Sequence, residues 1–190
     1  LDAIEGLAEV GAGYSGGAIT AFEIDDLDDG TDTLTGFENV TGSAYADWMF
    51  GSANGDTLSG GSGNDNLNGD AGNDVLIGGA GNDILAGGTG YDVLDYRSST
   101  GAILANLDTV SRTLNGTAVA AGTVRDGLGG IDTVSGIENV IGTSYADWLI
   151  GSSAAETFVG GAGNDSINGG AGIDRADYST STSGIRVNLD

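Results

Sequence analysis

The chain has 190 residues and a formal net charge of −23, with 28 acids, 22 of them aspartate, against five arginines; it holds 37 glycines and no proline, cysteine, histidine or lysine. Missing proline excludes collagen, missing cysteine excludes disulfide scaffolds and thiolate metal sites, and missing histidine and lysine exclude the usual zinc sites, histidine-dependent nucleophiles and Schiff-base chemistry. Such a chain repels nucleic acid and anionic membrane, has no apolar run long enough to span a bilayer, and is either disordered or neutralised by something cationic.

In chain order, residues 1–31 read as the tail of a preceding module or a linker, which makes the chain a piece of something longer. The acidic run Asp25, Asp26, Asp28, Asp29 fails the EF-hand pattern, because Leu27 stands at its third position and Gly36 at its twelfth. It reads as a solvated linker. A first module spans 32–108 and a second, shorter one 132–190, joined by a connector over 109–131. The segment that opens at Asp32, DTLTGFENVTGSAYADWMFGS, returns at Asp132 as DTVSGIENVIGTSYADWLIGS, an offset of 100. The exits DYRSSTGAILANLD and DYSTSTSGIRVNLD recur at an offset of 82, so the second copy lacks two nine-residue units.

Those units carry the signal. In the first array (42–95), GSAYADWMF and GSANGDTLS lead into GGSGNDNLN, GDAGNDVLI, GGAGNDILA and GGTGYDVLD. Their sixth positions are Asp47, Asp56, Asp65, Asp74, Asp83 and Asp92. Their eighth are Met49, Leu58, Leu67, Leu76, Leu85 and Leu94. The second array (142–177) places Asp147, Glu156, Asp165 and Asp174 at the sixth position, and Leu149, Phe158, Ile167 and Ala176 at the eighth. Glycines at the first, second and fourth positions (Gly60, Gly61, Gly63, Gly69, Gly72, Gly78, Gly79, Gly81, Gly87, Gly90, Gly160, Gly161, Gly163) permit positive φ and close backbone packing. Asparagine at the fifth tolerates the left-handed region. The last three residues alternate about one apolar residue, which is a short strand with one buried side chain. Two units then make one coil of turn, strand, turn, strand, and the coils stack as a parallel solenoid.

Stacking brings the aspartates of alternate units to about 5 Å, the strand spacing. Like charges that close repel, and a hard dication between them turns repulsion into ligation. Calcium accepts carboxylates and backbone carbonyls in flexible geometry, which suits glycine-rich turns; magnesium fits less well. The expected ion sites are the pairs Asp47–Asp65, Asp65–Asp83, Asp56–Asp74 and Asp74–Asp92, about four in the first array, and Asp147–Asp165 with Glu156–Asp174, one or two in the second.

GGSGNDNLN and GGAGNDILA resemble the RTX (hemolysin-type) nonapeptide G-G-x-G-x-D-x-U-x. The resemblance implies an all-β parallel β-roll (a β-helix solenoid), Ca2+ in the turns, an extracellular, secreted or cell-surface setting, and export through a type I secretion system. It also implies a structural or spacer module that folds on meeting calcium. Alternatives are a carbohydrate-binding accessory of a polysaccharide-modifying enzyme, or an assembling surface-layer or adhesin segment. Partners would be calcium ions, neighbouring modules or subunits, or extracellular polysaccharide, with no nucleic acid and no membrane insertion. No catalytic constellation is read.

Three lesser features add expectations. Trp48 and Trp148 hold equivalent places in the two copies, and each is expected to cap a solenoid end. The NGT at Asn115 is a chance sequon. Val75, Ile77 and Val93 share one outer face, which reflects either strand propensity alone or a cover: first the segment Ile103 to Val124 or the second module, and otherwise another chain.

Overall fold

The computed structural model describes residues 22–25, 31–34 and 36–188. It divides into two units, Leu1–Phe37 and Glu38–Asp190. In the first, β1 (Phe22–Asp25) pairs antiparallel with β2 (Thr31–Leu34). The remainder of the 1–31 segment, including Asp26, Asp28 and Asp29 of the acidic run, lies outside the described residues.

The second unit is a parallel β-roll, with no helix among the described residues. Its first coils alternate between two sheets: β3 (Asn39–Thr41), β5 (Thr57–Ser62), β7 (Val75–Ala80) and β9 (Val93–Asp95) on one wall, β4 (Trp48–Phe50), β6 (Asn66–Asn68) and β8 (Ile84–Ala86) on the other. Registers step by two nonapeptides, as in Thr57↔Val75 and Leu67↔Leu85. Period-two alternation sends the eighth-position residue inward. Leu67, Leu76, Leu85 and Leu94 are fully buried, and Met49 and Leu58 nearly so. Each contributes about 1.5–3 kcal/mol. In the second array Leu149 and Phe158 are buried in the same way, while Ile167 is half-buried and Ala176 exposed at the last coil.

The second copy continues the roll of the first. β14 (Ile131–Ser135) stacks parallel on β8, and β15 (Asn139–Ile141) on β9. β16 (Trp148–Ile150), β17 (Thr157–Val159), β18 (Ser166–Asn168) and β19 (Arg175–Ala176) extend the two walls.

The connector takes a more regular form than its composition suggests. β10 (Leu104–Asn106) and β13 (Thr123–Arg125) enter one wall between β14 and β16, with β13 antiparallel to both β10 and β14. Between them β11 (Arg112–Leu114) and β12 (Thr117–Val119) form a hairpin across Asn115 and Gly116, whose φ values are 47° and 75°. That is the Asn-Gly signature of a tight hairpin turn, so the NGT tripeptide has a structural reason. Asn106 is buried and donates its amide to the carbonyls of Val110, Val119 and Ala120, which ties the hairpin to β10.

Ile103, just before β10, and Val119 and Val124 of the connector are buried with the wall that holds β10 and β13. Val75, Ile77 and Val93 lie on the other wall and remain half-exposed. The expected cover over them is therefore not where the segment goes. Trp148 likewise lies inside a sheet, in register with Leu104 and Ser166, instead of capping an end.

Candidate metal centre

The turns of alternate units stack on two edges, and the sixth-position carboxylates line both. Asp65, Asp74, Asp83, Asp92, Asp165 and Asp174 each use Oδ1 to accept the backbone N–H of the sixth-position residue one coil earlier. The donors and acceptors are Asp47 to Asp65 (2.9 Å), Asp65 to Asp83 (2.9 Å), Asp56 to Asp74 (2.7 Å) and Asp74 to Asp92 (2.9 Å). In the second array they are Asp147 to Asp165 and Glu156 to Asp174, both 3.0 Å. All six pairs expected from the phase are thus in hydrogen-bonded stacks.

The first glycine of the turn makes room for the carboxylate to fold back. A Cβ on Gly60 would collide with Oδ2 of Asp65 and sit 2.6 Å from the carbonyl of Gly78. The fifth-position asparagines have a different role from the one their backbone tolerance suggests. Only Asp70 and Asn115 are non-glycine residues with positive φ among the described residues. Asn64 and Asn73 instead accept the N–H of Asn82 (2.8 Å) and Tyr91 (2.9 Å) one coil on, forming a second ladder beside the first.

The second carboxylate oxygen divides the units into two kinds, according to the residue after the first glycine. Where that residue is Ser or Thr, its N–H caps Oδ2: Ser43 on Asp47 (2.7 Å), Ser52 on Asp56 (2.6 Å) and Thr143 on Asp147 (2.7 Å). The Ser43 and Thr143 hydroxyls add further bonds to the same carboxylates. Where the second residue is Gly61, Asp70, Gly79 or Gly88, its φ is between 69° and 105°. In those units Oδ2 of Asp65, Asp74, Asp83 and Asp92 is buried with no hydrogen-bond partner. Glu156 is intermediate: Ser152 donates its N–H and hydroxyl to Oε1, and Oε2 is left buried and unpartnered.

Four buried carboxylate oxygens without partners are costly, at about 1–3 kcal/mol or more each. The electrostatics register the same cost as a pull toward protonation. Burial, with repulsion from Asp83 and Asp47, raises Asp65 to about 6 against the N–H bond from Asp47. Burial likewise raises Asp74, Asp83, Asp165 and Glu156, with charge from neighbouring acids adding to each. No three acidic side chains converge as a metal-binding group among the described residues. An ion here would be held by one or two carboxylates and by backbone carbonyls of the stacked turns, a hard-oxygen set that suits calcium.

The family model of the RTX calcium-binding nonapeptide repeat, which describes four copies of the unit, matches this chain three times, over residues 32–67, 59–94 and 141–176, together just over half of it. The chain belongs to the RTX calcium-binding repeat family. No curated protein matches it. The RTX turns fit the ion their family binds, because their unpartnered oxygens are what a hard cation would satisfy.

The RTX ladders also run on through residues that the repeat phase misses. Asp83 donates its N–H to Oδ1 of Asp132 (3.1 Å), and Asp92 to Oε2 of Glu138 (2.9 Å). Ile131 donates to Oδ1 of Asn82 (2.8 Å), which places Ile131 at the fifth position of a further unit. That unit is GLGGIDTVS, residues 127–135, with Gly127, Gly130, Asp132 and Val134 at the first, fourth, sixth and eighth positions. Its spacing was the available signal. Asp126, fully buried just before it, carries no repeat signal at all.

Proposed function

We propose that this is a calcium-dependent structural module of a secreted or cell-surface protein, unfolded where calcium is scarce and folded on meeting it outside the cell. The observation that carries the reading is the set of buried, unpartnered oxygens on Asp65, Asp74, Asp83 and Asp92. Without a cation the folded state must bear these oxygens together with the self-repulsion of a chain of charge −23. Calcium supplies positive charge and accepts those oxygens as ligands, so binding energy becomes folding energy. Sites of extracellular modules have Kd of about 10⁻⁴–10⁻³ M, which external calcium fills and cytoplasmic calcium does not.

The pairs Asp65–Asp83 and Asp74–Asp92 are the strongest ion positions, because both members of each keep a free oxygen. Asp47–Asp65, Asp56–Asp74, Asp147–Asp165 and Glu156–Asp174 each include one carboxylate already capped by its own turn. Far-ultraviolet circular dichroism of the chain tests the reading. Chelator should give a coil spectrum, and added calcium should restore β signal cooperatively. The same β spectrum in both conditions would overturn it.

A further inference from the structure

The interval between the turn ending at Asp83 and the turn ending at Asp132 differs from those before it. Asp132 holds the N–H of Asp83 through Oδ1, but its Oδ2 accepts the Tyr96 hydroxyl (2.7 Å). Both of its oxygens are therefore engaged, and the interval lacks the free second carboxylate that the Asp65–Asp83 interval has.

Asp126 brings another carboxylate to the place. It is fully buried, and its Oδ1 accepts the N–H groups of Leu128 (2.8 Å), Gly129 (2.9 Å) and Gly130 (2.8 Å), which fixes the group's orientation. Its Oδ2 is buried and has no partner. A Cβ built on Gly130 would fall on the carbonyl oxygen of Gly81 and lie 2.7 Å from Oδ2 of Asp126. The two oxygens therefore close on one space that only glycine leaves open. Asp83 belongs to the same turn as Gly81, and its own Oδ2 is also buried and unpartnered. The two acids lie within each other's field.

Among the described residues no cation forms an ion pair with them. The ion pairs among the described residues are Arg97–Asp95, Arg112–Asp108 and Arg175–Asp177. Arg125 precedes Asp126 and its Nε is buried without a hydrogen-bond partner, but it alternates to the opposite side of β13 from buried Val124 and pairs with neither acid.

We propose that Asp126, Asp83 and the Gly81 carbonyl form a further divalent-cation site that takes calcium, at the seam between the connector and the first array. The proposal rests on the reading of the chain as a calcium-loaded roll. It goes beyond the repeat, because Asp126 lies outside every span the family model matches. Two carboxylates and a carbonyl leave room for waters, which calcium's variable coordination accepts. The ion would fasten the loop after β13 to the last complete coil of the first array.

The test is calcium stoichiometry of the whole chain by native mass spectrometry and calorimetry, with Asp126→Asn beside the parent. The variant should bind one ion fewer. Asp65→Asn and Asp74→Asn, read in parallel, separate the two levels of the argument. If the parent takes up no calcium, both the roll reading and the seam site fall. If those two variants lose ions while Asp126→Asn binds as many as the parent, the seam site alone falls. Should Asp126→Asn fail to fold, anomalous diffraction from crystals of the parent grown with calcium decides. A calcium peak between Asp126 Oδ2 and the Gly81 carbonyl supports the site; a water or nothing there overturns it.

Discussion

The hydroxyl of Tyr96 donates to Oδ2 of Asp132 across 2.7 Å, and both side chains are buried. The bond joins the end of the first array to the first turn of the second copy. Burial, together with the charge and hydrogen bond of Asp132, pushes the phenol well above its ordinary value, so it stays protonated and remains a donor. Tyr96→Phe keeps the ring and leaves one buried carboxylate oxygen without a partner. The expected cost is about 1–3 kcal/mol. It should read as a lower melting temperature in saturating calcium, with the number of bound ions unchanged.

Acid should partly substitute for calcium. A carboxyl group with a raised folded-state pKa binds its proton more tightly folded than unfolded. The stability it contributes is complete below its ordinary 3.8 and is lost as pH climbs through the folded value, about 6 for Asp65 and about 7 for Asp132. In chelator, melting temperature and β signal should therefore rise as pH is lowered from 8 toward about 4. In calcium the trend should weaken or reverse, because protons and the ion compete for the same oxygens. A chelated chain that becomes less ordered on acidification would contradict this account.

Asp74 and Asp92 should tolerate substitution about equally badly. The repeat phase alone makes Asp92 a terminal member and so the milder loss. Glu138 removes that asymmetry by accepting the Asp92 N–H at 2.9 Å, which leaves Asp92 with neighbours on both sides. Asp174, on the last described coil and half-exposed, is the proper terminal comparison. Chemical denaturation in calcium should rank Asp74→Asn and Asp92→Asn together, with Asp174→Asn clearly milder.

Thr143 stabilises its turn without a metal. Its N–H lies 2.7 Å from Oδ2 of Asp147, and its hydroxyl donates to Oδ1 at 2.9 Å while accepting the N–H of Tyr145. Thr143→Ala removes the hydroxyl from a buried position and should cost about 0.5–2 kcal/mol, the scale of a lost side-chain cap. Calorimetry should find the same calcium count as in the parent. A variant that instead gained an ion would show that the hydroxyl had been excluding one.

The core and both carboxylate ladders were legible in the sequence wherever the nine-residue phase is unbroken. Constant phase turns sequence separation directly into spatial stacking, so Leu58 over Leu76 and Asp65 over Asp83 follow from counting. Asp132 over Asp83 does not, because 49 residues separate them and the connector between enters the sheet antiparallel. The unpartnered oxygens depended on the sign of φ at Gly61, Gly79 and Gly88, which the residue type permits but does not dictate. Asp126 was invisible because its place depends on the loop that closes over it.

The two inserted strands also have a mechanical consequence. β10 and β13 widen one wall between β14 and β16, while on the other wall β15 and β17 remain immediate neighbours. Each strand adds about 5 Å, so one side of the column is longer by about 10 Å at that level. The block acts as a keystone, and the axes of the two repeat arrays must diverge around it. Tandem copies of this plan would describe an arc whose curvature is set by the connectors and whose straight runs are set by the number of nonapeptides between them.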